Sequence, residues 1–387
     1  MVNNHINNIK VNLNTSKINN IKRYSMYIAL IFIWIFFTIM TDGTFMAMRN
    51  LSNLSRQVSI IAILATGMTL VIITGNIDLS VGSLMGLIGA ISAVFQAWYG
   101  MGTLPVIIIA ILFGSLIGLF NGYLISFAKI PSFVVTLAGL LMFRGLLIAI
   151  NKGVTISPMT ESYKFIGQAY LSKGVGYILC IAAILIYDLI SIKSRSFKVK
   201  YNFKIESLNK FILKLALYNI LIIIFTLIMN IYRGIPIPVI IMLAVIVVFT
   251  FVMQRTKFGR YIYAVGGNIE AAFYSGINTK LIILFVFIIM GALSSISGII
   301  LTARLNAATV TAGMNMELDA IAASVIGGTS FSGGIGSIPG AILGALIMAS
   351  LDNGMSLLNM NVSWQYMIKG LVLLVAVLFD VYSKNKE

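Results

Sequence analysis

The sequence is poor in the residues from which most catalytic and metal sites are built. In 387 residues it has one cysteine, Cys180, and one histidine, His5. A single cysteine excludes an intramolecular disulfide and a cysteine-based metal site, and a single histidine excludes a histidine cluster. Charge is scarce too. Only 10% of residues are Asp, Glu, Lys or Arg, against roughly a quarter in a soluble domain. Acidic residues number 11 against 27 basic ones, and the net charge is +16. In a soluble protein that excess would point to nucleic acid. Here no stacking platform or recognition helix accompanies the basic residues. They cluster in a few stretches, as in the cytoplasmic loops of membrane proteins.

What is present is apolar surface. Hydrophobic residues make up 59% of the chain and the mean hydropathy is +1.00. Runs such as SMYIALIFIWIFFTIM and ILFVFIIMGALSSISGIIL approach the roughly 20 residues that a helix needs to cross a bilayer. A membrane β-barrel would show short alternating segments instead. The expected fold is an all-α polytopic integral membrane protein. Apolar candidates fall at 25–41, 57–74, 79–100, 105–128, 131–150, 176–192, 212–231, 237–254, 281–303, 318–329, 339–352 and 364–382. The segments 318–329 and 339–352 are short and are read as re-entrant or half-helices buried in protein. Some 10–12 full or half crossings follow.

Charge orients this layout. Residues 1–24 form a polar basic leader with no acid, read as the cytoplasmic flank of an uncleaved signal-anchor. Residues 25–382 then form one transmembrane domain and 383–387 a short tail. Seven basic residues lie in 193–214 against Glu206 alone, and Arg255, Lys257, Arg260 and Lys280 lie in 255–280 against Glu270. With the N-terminus inside, both stretches and the tail fall in the cytoplasm, leaving Arg49 and Arg56 outside as a minor exception. Two small-residue faces, Gly114–Gly118–Gly122 and Gly340–Gly344, have the spacing at which helices approach closely in lipid.

Polar residues inside apolar stretches mark candidate pathway or gating positions. In ITGNIDLSVGS these are Asn76, Asp78 and Ser80, and Asp78 or Ser80 is suited to cap the helix that follows. Asn121 and Arg144 interrupt later runs, the arginine either snorkelling or pairing internally. Asp319, with Glu317 nearby, and Asp352 beside Asn353 need internal partners that the sequence does not name. Gly327, Gly328 and Thr329 lie in VIGGTSFSGGIGSIPG, which lacks the lysine of a phosphate loop and is read as a flexible break between half-helices or as close packing near a pore. No nucleotide site is found in the chain, so ATP-driven transport would need another subunit. Buried acids keep an ion-coupled carrier as an alternative.

The stretch 255–280 stands apart. Gly259 lies near its start, and Gly266 and Gly267 break the chain. Asn268 is suited as an N-cap, Glu270 to the first turn, Ala271 and Ala272 to the helix, and Gly276 to a left-handed stop. The expected product is a helix of about two turns, near 12 Å long, with a shallow small-residue face. A capped connector and a docking helix fit these residues equally.

The run Glu270-Ala271-Ala272-x-x-x-Gly276 resembles the EAA loop of ABC importer permeases. With FGRYIYAVGGN, IDLSVGS, PSFVVTLAG, VIGGTSFSGGIGS and ASLDNGMSLL, the chain from about residue 25 resembles the ribose/xylose-type sugar permeases. The long middle around RGIPIPV, VTISPMT and WQYMIKG is similar to the D-xylose permeases, with ribose or another monosaccharide as the alternative. The resemblance implies an ABC permease fold in the bacterial cytoplasmic membrane, with both termini cytoplasmic. It implies no enzyme activity and no cofactor on this chain, with ATP and Mg on a separate ATPase subunit. Its partners would be that ATPase, a second permease copy, an extracytoplasmic sugar-binding protein and membrane lipid, and no nucleic acid.

Overall fold

A computed structural model describes residues 26–203 and 205–384. The leader and the last tail residues lie outside the described residues. The described chain is helical, joined by turns and two isolated bridges, Ile156 with Ala308 and Tyr170 with Pro236. In order, the first six helices are α1 (Met26–Met40), α2 (Met48–Ile73), α3 (Val81–Ala97), α4 (Thr103–Ser126), α5 (Ser132–Ile150) and α6 (Glu161–Gln168). Then come α7 (Lys173–Lys200), α8 (Leu208–Tyr232), α9 (Ile237–Arg255), α10 (Lys257–Gly267) and α11 (Ile269–Tyr274). The last four are α12 (Thr279–Leu305), α13 (Met316–Ile326), α14 (Ile338–Leu357) and α15 (Val362–Lys384). Eight are long and apolar enough to cross a membrane, and α1, α3 and α15 add shorter apolar helices. The polytopic helical fold expected from composition is therefore present.

The core sits on α2 and α12. Without water to drive helices together, close van der Waals approach supplies association, and small residues permit it. The Gly114–Gly118–Gly122 face of α4 does this against α12. A Cβ on Gly118 would collide with the Phe287 carbonyl oxygen, and one on Gly291 with the Gly114 carbonyl. Gly340 and Gly344 bring α14 onto α13 in the same way, against the carbonyls of Gly327 and Ala323. Hydroxyl groups in this core are largely returned to the helix backbone: Thr66, Ser294 and Ser295 each donate to a carbonyl one turn back.

Three boundaries differ from the sequence expectation. The segment 339–352 is no half-helix, since α14 continues through Leu357. Asp352 and Asn353 end its hydrophobic run, yet both find partners inside the protein, so the helix need not stop. The basic stretch 193–214 is no extended loop either. Helices α7 and α8 enter it from both sides, ending at Lys200 and starting at Leu208. Helix α2 begins nine residues before the apolar run at 57–74, because Asn50 and Asn53 are hydrogen-bonded to other elements. The expectation for 318–329 is met: α13 is only 11 residues long.

Candidate coupling and translocation site

The stretch 255–280 folds as two short helices around Asn268. The Thr256 side chain caps α10 by accepting from the Gly259 amide at 3.2 Å, and at Gly259 a Cβ would strike the backbone of Met253. Asn268 ends α10 and starts α11, its Oδ1 accepting from the Ala271 amide at 2.9 Å. Glu270 occupies the first turn, where a negative charge complements the helix dipole. Gly276 takes φ +83° just after the helix, a conformation open to glycine. At six residues, α11 spans about 9 Å, shorter than the two turns expected. Its surface differs too. Ala272 is buried against the core, while Phe273 and Tyr274 are 62% and 85% exposed. Of the two alanines only Ala272 faces inward, where it packs on the core, while Ala271 stays exposed beside Glu270, Phe273 and Tyr274.

Helix α10 fastens this outward face to the membrane core. Gly266 abuts the carbonyl of Ile73, the last residue of α2, so closely that no side chain fits. That carbonyl, orphaned at the helix end, accepts from the Gly334 amide at 2.9 Å. The Tyr263 hydroxyl donates to the Gly336 carbonyl at 2.9 Å. Gly267 faces open space, and a Cβ there would meet nothing within 4 Å. Helix α10, the end of α2 and the glycine-rich 327–337 connection therefore meet at one junction. Within that connection Gly327 touches the start of α14, Gly328 takes φ +88°, and Thr329 is buried with its hydroxyl unpaired among the described residues.

The polar residues of the first half fall into two groups, one around Ser80 just beyond the end of α2 and one around Arg144. Asp78 accepts from the Ser80 amide at 2.8 Å and from the Ser80 hydroxyl at 2.7 Å. Asn121 donates to the same hydroxyl at 3.4 Å, and Asn76 turns back to Thr74. Asp78 thus closes a tight turn before α3, and neither it nor Ser80 bonds the first amides inside the helix, a correction to the capping expectation. Arg144 pairs internally. It donates to the carbonyls of Val310 at 3.3 Å and Ala312 at 2.9 Å. These belong to the irregular 306–315 connection, whose backbone must be satisfied within protein. Glu317, just beyond it, is buried, and its Oε2 has no hydrogen-bond partner among the described residues.

The acids of the second half share one cation. Lys369 of α15 reaches Asp319 of α13 at 2.9 Å and Asp352 of α14 at 2.8 Å. One ammonium thereby binds three helices. Beside it, Asn353 and Asn50 exchange amide hydrogen bonds of 2.7 and 3.1 Å, joining α14 to α2. The candidates drawn from sequence do not include Lys369, Asn50 or Tyr263. A signal existed for Lys369: a lone lysine within the apolar WQYMIKGLVLLV needs an acid inside the bilayer. Asn50 and Tyr263 carry no comparable signal.

Comparison with known proteins agrees with this architecture. The family described as branched-chain amino acid transport system / permease component matches residues 50–377. The xylose transport system permease protein of Haemophilus influenzae is 46% identical, covering 95% of this chain and 98% of that protein. Its counterpart in Escherichia coli is 44% identical over 95% of this chain and 94% of that protein. The ribose import permease protein of Haemophilus influenzae is 36% identical over 93% of this chain and 94% of that protein. No solved structure matches the chain. A match across most of its length, on a fold of packed membrane helices, means that the chain belongs to this family of transport-system permease components.

Proposed function

We propose that the chain is the membrane-spanning permease of an ATP-driven importer of a pentose, D-xylose. The observation that carries the motor half of this reading is α11. It is a capped helix whose exposed face holds Glu270, Phe273 and Tyr274, fastened through α10 to the end of α2 and to the 327–337 connection. Exposed aromatics beyond the membrane helices suit a protein partner. The sugar assignment rests on the xylose permeases, which are closer to this chain than the ribose permease.

In this reading an extracytoplasmic binding protein delivers sugar to two copies of the permease in the bacterial cytoplasmic membrane. Both termini face the cytoplasm, as the basic stretches require. ATP and Mg are bound and used by a separate ATPase, which receives α11. Motion of that ATPase shifts α10, and the contacts at Ile73, Gly334 and Gly336 pass the shift to α2, α13 and α14. Two arrangements of this packed unit give alternating access. The candidates Asn76, Asp78, Ser80, Asn121 and Arg144 lie on the membrane side of the junction, where such motion would reach them.

The test is labelled D-xylose uptake into proteoliposomes holding the chain, its ATPase and its binding protein, with and without internal ATP. Uptake that needs ATP and that excess ribose fails to compete is expected. ATP-dependent ribose uptake without xylose uptake would move the chain to the ribose lineage. Gradient-driven uptake by the permease alone would replace the importer with an ion-coupled carrier.

A further inference from the structure

We propose that the basic end of the α7–α8 hairpin is a binding site for the headgroup of an anionic phospholipid. A cavity of ≈ 360 Å³ lies between the two helices there. Arg195, Lys198 and Lys214 line it, with Tyr187, Phe211 and Glu206 completing its wall. Arg195 is held in place: its guanidinium lies 4.9 Å over the Phe211 ring and donates to the Glu206 carbonyl at 3.0 Å. One of its five N–H groups is used by that bond, and the fork remains suited to a phosphate. Among the described residues, no ion pair involves any of the three cations.

The cavity lies at headgroup depth. Along α7, Lys173 and Arg195 are separated by about 33 Å of helix, close to one hydrocarbon thickness. Along α8, Lys214 and Arg233 are separated by about 28 Å. Each helix thus has a cation at either edge of the bilayer, and Arg195 and Lys214 share the same edge. The hairpin has little protein around it. Only 6% of the apolar window of each helix is buried, so lipid reaches the cavity from the side. Positive charge places this end on the cytoplasmic face, where anionic lipid headgroups attract basic pockets between membrane helices. The apolar helix faces below Arg195 and Lys214 offer a surface for the acyl chains. A phosphate there would lie among three cations and one carboxylate.

The experiment uses the purified full chain in nanodiscs of phosphatidylcholine with a minor fraction of phosphatidylglycerol, and native mass spectrometry to count retained lipid. R195Q/K198Q/K214Q is compared with K193Q/K200Q/K210Q, which removes the same charge outside the cavity. The proposal expects the cavity variant to retain about tenfold less phosphatidylglycerol, the control variant to change less than about twofold, and inorganic phosphate not to displace the lipid. Equal loss in both variants would reduce the effect to diffuse surface charge and overturn the site. Equal retention of phosphatidylcholine would overturn its preference for anions. Displacement by inorganic phosphate would make it a site for a soluble anion. Retained folding of both variants is checked by matched thermal melts.

Discussion

Helix α2 and the α7–α8 hairpin are both apolar enough to span a membrane, yet they live in different surroundings. In α2, 89% of the apolar window is buried in protein, and in α7 and α8 only 6% is. The difference lies in what accompanies the apolar residues. The buried helix carries Asn50, Gly67 and Thr69, small or polar groups that meet α14, α12 and α13. The exposed faces of the hairpin are mostly Ile and Leu, which lipid satisfies as well as protein does. In a bilayer, hydrophobicity says that a helix is in the membrane, and small and polar residues say which helices it touches.

Substitutions that strike the packed region should cost most. K369L leaves Asp319 and Asp352 without their cation. Removing one partner of a buried charge pair costs about 3–5 kcal/mol, so we expect the variant to lose most of its folded yield in detergent. The triple variant D319L/K369L/D352L removes every charge and should recover much of that yield. If the single variant melts like the native chain, the cation is not holding three helices.

Glycine contacts come next. G118V forces a side chain into the Phe287 backbone, at a seam with no room to relax, and is expected to destabilise by about 3 kcal/mol or more. G174A, on the hairpin, meets nothing within 4 Å and should stabilise by up to about 1 kcal/mol. Thermal unfolding in one detergent ranks the two, and a reversed ranking would break the contrast between core and hairpin.

At the junction, G266V is expected to leave the chain inserted but to lower ATP-dependent uptake at least about tenfold, through loss of the seat on Ile73. E270K should weaken copurification of the ATPase by a similar factor. Normal uptake by both variants would remove α10 and α11 from the coupling route. The smallest effect belongs to the hairpin. Asp188 accepts from Asn219 at 3.1 and 3.2 Å, and a double-mutant cycle on D188L and N219L should give about 0.6 kcal/mol, the usual scale for such bonds in lipid.

Much of the architecture is legible in the residues themselves, and the misses share a cause. The caps at Asn268 and Gly276 and the short α13 are readable because capping and helix length depend on neighbouring residues. The Gly114–Gly118–Gly122 face is readable as a contact surface, although its partner is not. The expected half-helix at 339–352 fails because Asp352 and Asn353 look like terminators until Lys369 and Asn50 are placed beside them. Asp78 misleads in a smaller way: its bond goes to Ser80, one position short of the helix.

The sequence alone determined the medium, the helical class and the local punctuation, since hydropathy, charge placement and capping act within a few residues. Tertiary structure decided which polar groups became partners. Asp319, Asp352 and Lys369 meet at 2.8–2.9 Å although they lie on three separate helices, and Gly266 finds Ile73 across about half of the chain. Such pairings follow from how helices cross and where their ends meet, and in lipid that is set by close backbone approach and satisfied polar groups, quantities that exist only once the helices are packed.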